Sequence, residues 1–237
     1  MIDIPEGLHP VQTCAVRRVS QSWPFAEMHK NKIAQHWDER RRENSKFFNG
    51  RVFIMAEATL QEGHLQGCII ETDFANSLYW RETGFTDRSV VDCFAAAIIL
   101  CADNTLIYGC QAPGHLNSGF AYPPCGFLDP RDVGTDGVAD FAASAAREIS
   151  EEIGFTSTDL HREPGFLAVR QGPYLCIGVT YRSPLTSPAF LDKVTAHLSR
   201  EDDPELEGLA ALRCKSDAEL HPMRDFAKWI AQHVLAE

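Results

Sequence analysis

Apolar and polar positions along the chain follow two periods, and each predicts a different kind of element. Strand-like runs occur at Thr13–Val19, Val52–Leu60 and Leu65–Thr72, the last two joined by Gln61-Glu62-Gly63-His64 as a hairpin. Asp92–Leu100 (DCFAAAIIL) is apolar enough for a buried central strand. Further strands are predicted at Thr105–Gly109, Gly165–Arg170, Tyr174–Tyr181 and Gly208–Arg213. Helical spacing is sparse from Trp23-Pro24-Phe25 to about Lys46, which predicts one surface helix. A second helix is predicted at about 139–153, where Ala142, Ala146, Ile149 and Ile153 form an apolar stripe. A third starts at Ser187-Pro188 and runs to about Ser199, with Ser187 as N-cap. The last runs to about Leu235, opened by a capping box of Ser216 and Glu219. Residues 73–88 are mixed, as are 1–22 outside the first strand, and Gln111–Gly119 reads as a polar loop.

The helix at 139–153 carries an unusual charge pattern at its end, in Arg147-Glu148-Ile149-Ser150-Glu151-Glu152-Ile153-Gly154-Phe155. Glu148 shares a helix face with Glu151 and Glu152, and each like-charge pair costs about 0.2–0.5 kcal/mol. The negative end of the helix dipole adds to that cost. Arg147 can pair with Glu151 at i+4, but one arginine does not serve three carboxylates. Two readings fit the pattern: a solvated acidic face, or a site for a hard divalent cation. The apolar stripe fixes the helix on a core, so the acidic face, expected to be separate from the packed one, points in a set direction. Gly154 is a good C′ residue.

Composition narrows the classes. The chain has 237 residues, 44% hydrophobic and 23% charged, ordinary for a globular protein with a sizeable core. Its net charge of −11 argues against binding duplex nucleic acid or an anionic membrane. Eight scattered cysteines include no CxxC pair, and no close histidine pair has metal-ligand spacing, so no zinc site is assigned. No signal-like N-terminus and no apolar stretch of membrane length is present, so a cytoplasmic protein is expected.

The run Arg147–Phe155 resembles the second half of the Nudix box, which reads Gly, five residues, Glu, seven residues, then Arg-Glu-apolar-x-Glu-Glu-x-Gly-apolar. Every specified position of that half is matched. The first half is altered: Gly126 plus five residues lands on Asp132, and fourteen residues separate Asp132 from Arg147. The surplus is expected in the turn-rich Gly134-Thr135-Asp136-Gly137. In the N-terminal part, Trp37, Asn44, Phe47-Phe48-Asn49-Gly50-Arg51-Val52-Phe53, Tyr79-Trp80-Arg81 and Asp87-Arg88-Ser89-Val90 resemble the UDP-glucose diphosphatase subgroup.

That resemblance implies an α/β/α sandwich on a mixed sheet over residues 89–237, with residues 1–88 as a small α+β accessory domain. It implies Mg²⁺, or alternatively Mn²⁺, held by Glu148, Glu151 and Glu152, with the backbone carbonyl of Gly126 as a further ligand and Arg147 orienting the glutamates. The implied reaction is hydrolysis of a nucleoside diphosphate linked to another moiety, such as UDP-glucose to UMP and sugar 1-phosphate. ADP-ribose, a dinucleotide or a nucleoside triphosphate are the alternative substrates, and a non-catalytic nucleotide sensor is the alternative of another class. Glu205 and Glu207, in the acidic loop before the last strand, are candidates for a general base or extra ligand. Gln111, His115, Asn117 and Tyr122 lead into the box and are candidates for substrate contact, though each is more readily read as a loop hydrogen-bonder or core aromatic.

Overall fold

The computed structural model describes residues 1–156 and 158–236. In chain order, the first part contains β1 (Ile2–Asp3), β2 (Gly7–Val11), β3 (Thr13–Val19), α1 (Pro24–Met28), α2 (Lys30–Glu43), β4 (Arg51–Gln61), β5 (His64–Asp73) and α3 (Phe74–Glu82). Then follow β6 (Asp92–Leu100), β7 (Leu106–Gln111), β8 (Ala121–Tyr122), β9 (Cys125–Phe127) and α4 (Phe141–Ile153). The chain closes with β10 (His161–Arg162), β11 (Phe166–Gln171), β12 (Tyr174–Arg182), α5 (Ser187–Leu198), β13 (Leu206–Leu212) and α6 (Asp225–Val234).

Two sheets result. The smaller has the order β1-β4-β5-β3, with β4 and β5 antiparallel and the outer strands each parallel to its neighbour. The larger has the order β13-β7-β6-β12-β11-β2, with β8, β9 and β10 added beside β7, β6 and β12. Its central pair, β6 and β12, is parallel and the other pairs are antiparallel, so the sheet is mixed. One face packs on α4, α5 and the smaller sheet, the other on α6. This is an α/β/α sandwich. All nine residues of β6 are buried, as expected for a strand covered on both faces.

Residues 7–11 pair antiparallel with β11 in the larger sheet. One core cluster runs from Val16, Phe53 and Leu65 through Ala95 and Ala97 to Ile149 and Phe190, so the two sheets share an interior. Backbone hydrogen bonds fasten them, among them the reciprocal pair Met55 N to Val91 O and Val91 N to Met55 O, and Phe53 N to Leu128 O. No described helix is long and apolar enough to cross a membrane.

Several elements depart from the pattern reading. The surface helix expected from Trp23 to Lys46 is two helices, broken at His29, whose φ/ψ of −104°/12° leaves the helical region. Residues 74–82, read as mixed, are helical: Ala75, Leu78 and Trp80 are buried, and Trp80 packs in one cluster with Ile54 and Ile70 of the smaller sheet. β2 is an edge strand whose pattern of partly exposed residues carries no alternation. The third helix is capped by Thr186, which puts Ser187 inside it. Ser216 and Glu219 lie in a 3₁₀ turn, and Pro222, which disfavours a helical residue before it, delays the last helix to Asp225.

Candidate functional site

The opening of the site is made by strand divergence. β6 pairs with β7 only at Ile99 and Leu100, and β9 takes the vacated edge, with Gly126 opposite Ala95. A cleft of about 930 Å³ lies there. Its walls come from the 46–52 turn, α3, the 111–117 loop, β9, α4, Glu205 and Arg224.

Helix α4 faces this cleft with Arg147, Glu148 and Glu151. Asp140 is its N-cap, accepting from the backbone N–H of Ala142 and Ala143, and Gly154 ends it in the left-handed region with φ of 69°. The acidic and packed faces are not separate. Phe141, Ala145, Ile149 and Ile153 are buried, and so are Glu148 at 6% and Glu152 at 3% exposure, whereas Glu151 is exposed. Burial of each isoleucine contributes roughly 1.5–3 kcal/mol, which outweighs a like-charge pair and holds the carboxylates in place.

Burial, only partly opposed by Arg147, pushes the Glu148 carboxyl up to about 7. Burial raises Glu152 strongly, with the neighbouring Glu148 and Glu205 adding to it. Glu152 Oε1 accepts from the backbone N–H of Cys125 at 3.1 Å, but Oε2 has no hydrogen-bond partner. Gly126 lies directly against Glu148: a Cβ at that position would sit 2.4 Å from Oε1, so only glycine lets the strand approach the carboxylate.

Arg147 is the hub. Its Nη1 donates to Glu148 at 2.5 Å and to Glu151 at 3.2 Å, while Nη2 donates to Asp132 at 2.9 Å. Asp132 is 3% exposed. The fourteen-residue separation between Asp132 and Arg147 folds out of the way. Asp140 N donates to Asp132 O at 2.8 Å, and Val133 bridges Ala139 antiparallel, so residues 133–139 leave and return at one point. Seven residues, 140–146, then connect Asp132 to Arg147. The excursion docks on the edge of β3, where Arg18 N donates to Gly137 O and Ala139 N to Val16 O.

The residues present fit a divalent cation. Glu148 lies on the cleft wall against Gly126, with Glu151 and Glu205 also on the wall. The buried Glu152, one turn further along the same helix and bonded to Cys125 N–H, keeps an unpartnered oxygen without itself lining the cleft. As the side chains stand, no three His, Cys, Asp or Glu among the described residues sit in ligand arrangement, and Arg147 holds Glu148 and Glu151 instead.

The other candidates divide. Gln111, His115, Asn117 and Tyr122 all line the cleft. Glu205 lines it and acts electrostatically on Glu148 and Glu152. Glu207, expected as its equal, is exposed, is absent from the cleft wall, and acts on Cys110. Plain strand alternation would put Glu205 and Glu207 on one face; the β13–β7 register shift between Leu206 and Gly208 falls at Glu207 and breaks that alternation. Sequence reasoning missed Asp92, Tyr174 and Arg224, which also line the cleft, and gave Arg81 no role. Asp92 carried a signal, being the single charge at the head of an apolar run.

No family model and no curated protein matches the chain. Among solved structures it is similar to a Nudix hydrolase from M. smegmatis, with 13% identity over 60% of this chain and 81% of that one and a TM-score of 0.38. It is also similar to a NUDIX hydrolase from Nitrosomonas europaea, with 16% identity, coverage of 60% and 88%, and a TM-score of 0.40. A third is the MutT protein from Methanosarcina mazei Go1, with 13% identity, coverage of 61% and 92%, and a TM-score of 0.41. These are distant likenesses, and the chemistry rests on the chain's own residues.

Proposed function

We propose that the chain is a divalent-cation-dependent hydrolase of the Nudix type that cleaves the pyrophosphate bond of a nucleoside diphosphate linked to another group. The observation that carries this is the buried pair Glu148 and Glu152, with the orphaned Glu152 Oε2, on the helix that Arg147 ties to Asp132. Removal of residues 133–139 from the path supports it further, because the remaining seven-residue spacing is that of the box. Glu148 and Glu152 would hold Mg²⁺ or Mn²⁺, with Glu151 and the Gly126 carbonyl as further ligands. A bound cation of this kind neutralises charge developing on a transferring phosphoryl group. Arg147 fixes the direction of the Glu148 carboxylate. Glu205, which lines the cleft, would take the proton from the attacking water or serve as an extra ligand.

A nucleotide sugar such as UDP-glucose, giving UMP and sugar 1-phosphate, is the favoured substrate. In its support, Phe47, Phe48, Asn49, Gly50, Arg51 and Arg81, all within the segments that resemble UDP-glucose diphosphatases, line the cleft. Product chromatography after incubation with UDP-glucose, UDP-galactose, ADP-ribose, NADH and a nucleoside triphosphate tests both levels. UMP and hexose 1-phosphate formed with Mg²⁺ and abolished by EDTA are expected. Turnover of ADP-ribose or NADH alone would replace the UDP-sugar reading, and tight nucleotide binding with no turnover would replace the enzyme with a sensor.

A further inference from the structure

Beyond the acidic helix, the cleft contains a second charged cluster of the opposite sign. Arg81 Nη2 and Arg224 Nη2 both donate to one acceptor, Asn117 Oδ1, at 2.5 and 3.1 Å. Arg224 is further fixed by stacking on Phe120, its Cζ 4.1 Å from the ring centroid. Its Nε is buried with no partner. Neither guanidinium pairs with a carboxylate among the described residues. That is unexpected in a chain with 33 acidic and 22 basic residues, where a partner is easily supplied. Burial and then the like charge of Arg81 hold Arg224 below the usual guanidinium range.

Two guanidiniums brought together on a neutral amide, inside a cleft, repel each other unless something negative lies between them. A bidentate fork is suited to phosphate or carboxylate oxygens. Asp92 stands beside Arg81 but does not fill this need: its Oδ1 has no hydrogen-bond partner. Asp92, beside Arg81, stands three residues along β6 from Ala95, the partner of Gly126, which is roughly 10 Å of strand, and Arg81, Arg224 and Glu148 all line the one cleft. A cation at Glu148 and Glu152 and the arginine pair would therefore engage different parts of one ligand.

We propose that Arg81 and Arg224, held by Asn117, form an oxyanion clamp that takes an anionic group of the ligand not carried by the metal. This deepens the hydrolase reading and rests on it for the identity of the ligand. The oxyanion is either the second phosphate of the diphosphate or a carboxylate on the attached moiety.

The test is calorimetric binding to the full chain in EDTA at low ionic strength, with UMP, UDP-glucose and UDP-glucuronate as probes. The wild type is expected to bind at least one probe without metal. Arg81→Gln and Arg224→Gln should each weaken that binding on the order of tenfold or more, as for loss of a charge-assisted hydrogen bond. Asn117→Asp is the companion variant, because it supplies the missing carboxylate: binding should fall while the melting temperature holds or rises. Glu152→Gln should not weaken metal-free binding. Equal affinities for the two UDP-sugars, both above UMP, assign the clamp to the second phosphate. Tighter UDP-glucuronate binding, with the advantage lost in Arg224→Gln, assigns it to the attached group. Wild-type affinity in all three clamp variants, or no metal-free binding by the wild type, overturns the clamp. Metal-free binding that depends on the arginines, in a protein with no Mg²⁺-dependent turnover, leaves the clamp standing and removes the hydrolase reading instead.

Discussion

Arg147 and Asp132, fifteen positions apart in the chain, face each other with Nη2 2.9 Å from Oδ2 and Nε 3.4 Å from Oδ1. The pair joins the turn after β9 to the helix bearing the glutamates. It also leaves Nη1 free to hold Glu148. Asp132 accepts a further bond from the backbone N–H of Asp129, so the acceptor is itself fixed. Asp132→Asn keeps the shape and removes the charge. The expected loss is about 1.5–3 kcal/mol of stability, that of a charge-assisted hydrogen bond, together with a fall in turnover of tenfold or more. Urea denaturation and steady-state kinetics at one pH check both. Unchanged values would mean that Arg147 is positioned by the glutamates alone.

Gly126→Ala probes the contact between β9 and α4. The added methyl would meet the Glu148 carboxylate rather than backbone, so the side chain must turn away. Overpacking of this kind costs typically 1–3 kcal/mol. Loss of activity should exceed what that implies, with at least a hundredfold fall in kcat/KM in a protein that still melts cooperatively. An active Gly126→Ala protein would show that the Glu148 carboxylate has another productive position.

Asp92 sets a pH dependence that can be followed without a ligand. Its burial, partly opposed by Arg81, pushes the carboxyl up to about 6, from 3.8. Between those values the folded protein holds a proton that the unfolded chain has released. Stability therefore falls as pH rises through that window, and the full penalty persists above it. At 1.36 kcal/mol per pH unit the effect is roughly 3 kcal/mol at most. Asp103, held near 2 by its hydrogen bonds from Ser187, acts in the opposite sense and only below pH 4. Asp92→Asn should flatten the urea midpoint between pH 4 and 6 relative to wild type and raise stability at pH 8. Parallel pH profiles for the two proteins would contradict the burial account.

Much of this arrangement was legible in the order of residues, and the gaps have physical reasons. The apolar stripe ending at Ile149 and Ile153, and Gly154 after it, mark the helix and its end because burial and left-handed backbone leave local signals. β6 and β12 were readable from composition, being covered on both faces. Glu148 and Glu152 looked like a face of their own because spacing tells which residues share a side, not how far the neighbouring strand reaches over them. The excursion at 133–139 concealed the match between Asp132 and Arg147, since its closure depends on a backbone bond to Asp140 and docking on β3. Arg81 and Arg224 lie 143 positions apart and meet only through Asn117, a relation no local pattern carries.

The central claim is that the buried carboxylates on α4 support metal-dependent cleavage of a pyrophosphate bond. The most direct measurement compares wild type and Glu152→Gln for Mg²⁺-dependent turnover of the substrate found by product chromatography, with melting temperatures taken in parallel. Glutamine keeps the bond from the Cys125 N–H and cannot ionise at a buried position where the charged form is disfavoured, so the fold should be as stable or more so. Turnover should fall by orders of magnitude. Full activity in Glu152→Gln would contradict the metal assignment, and loss of the cooperative melt would show that the carboxylate serves the fold.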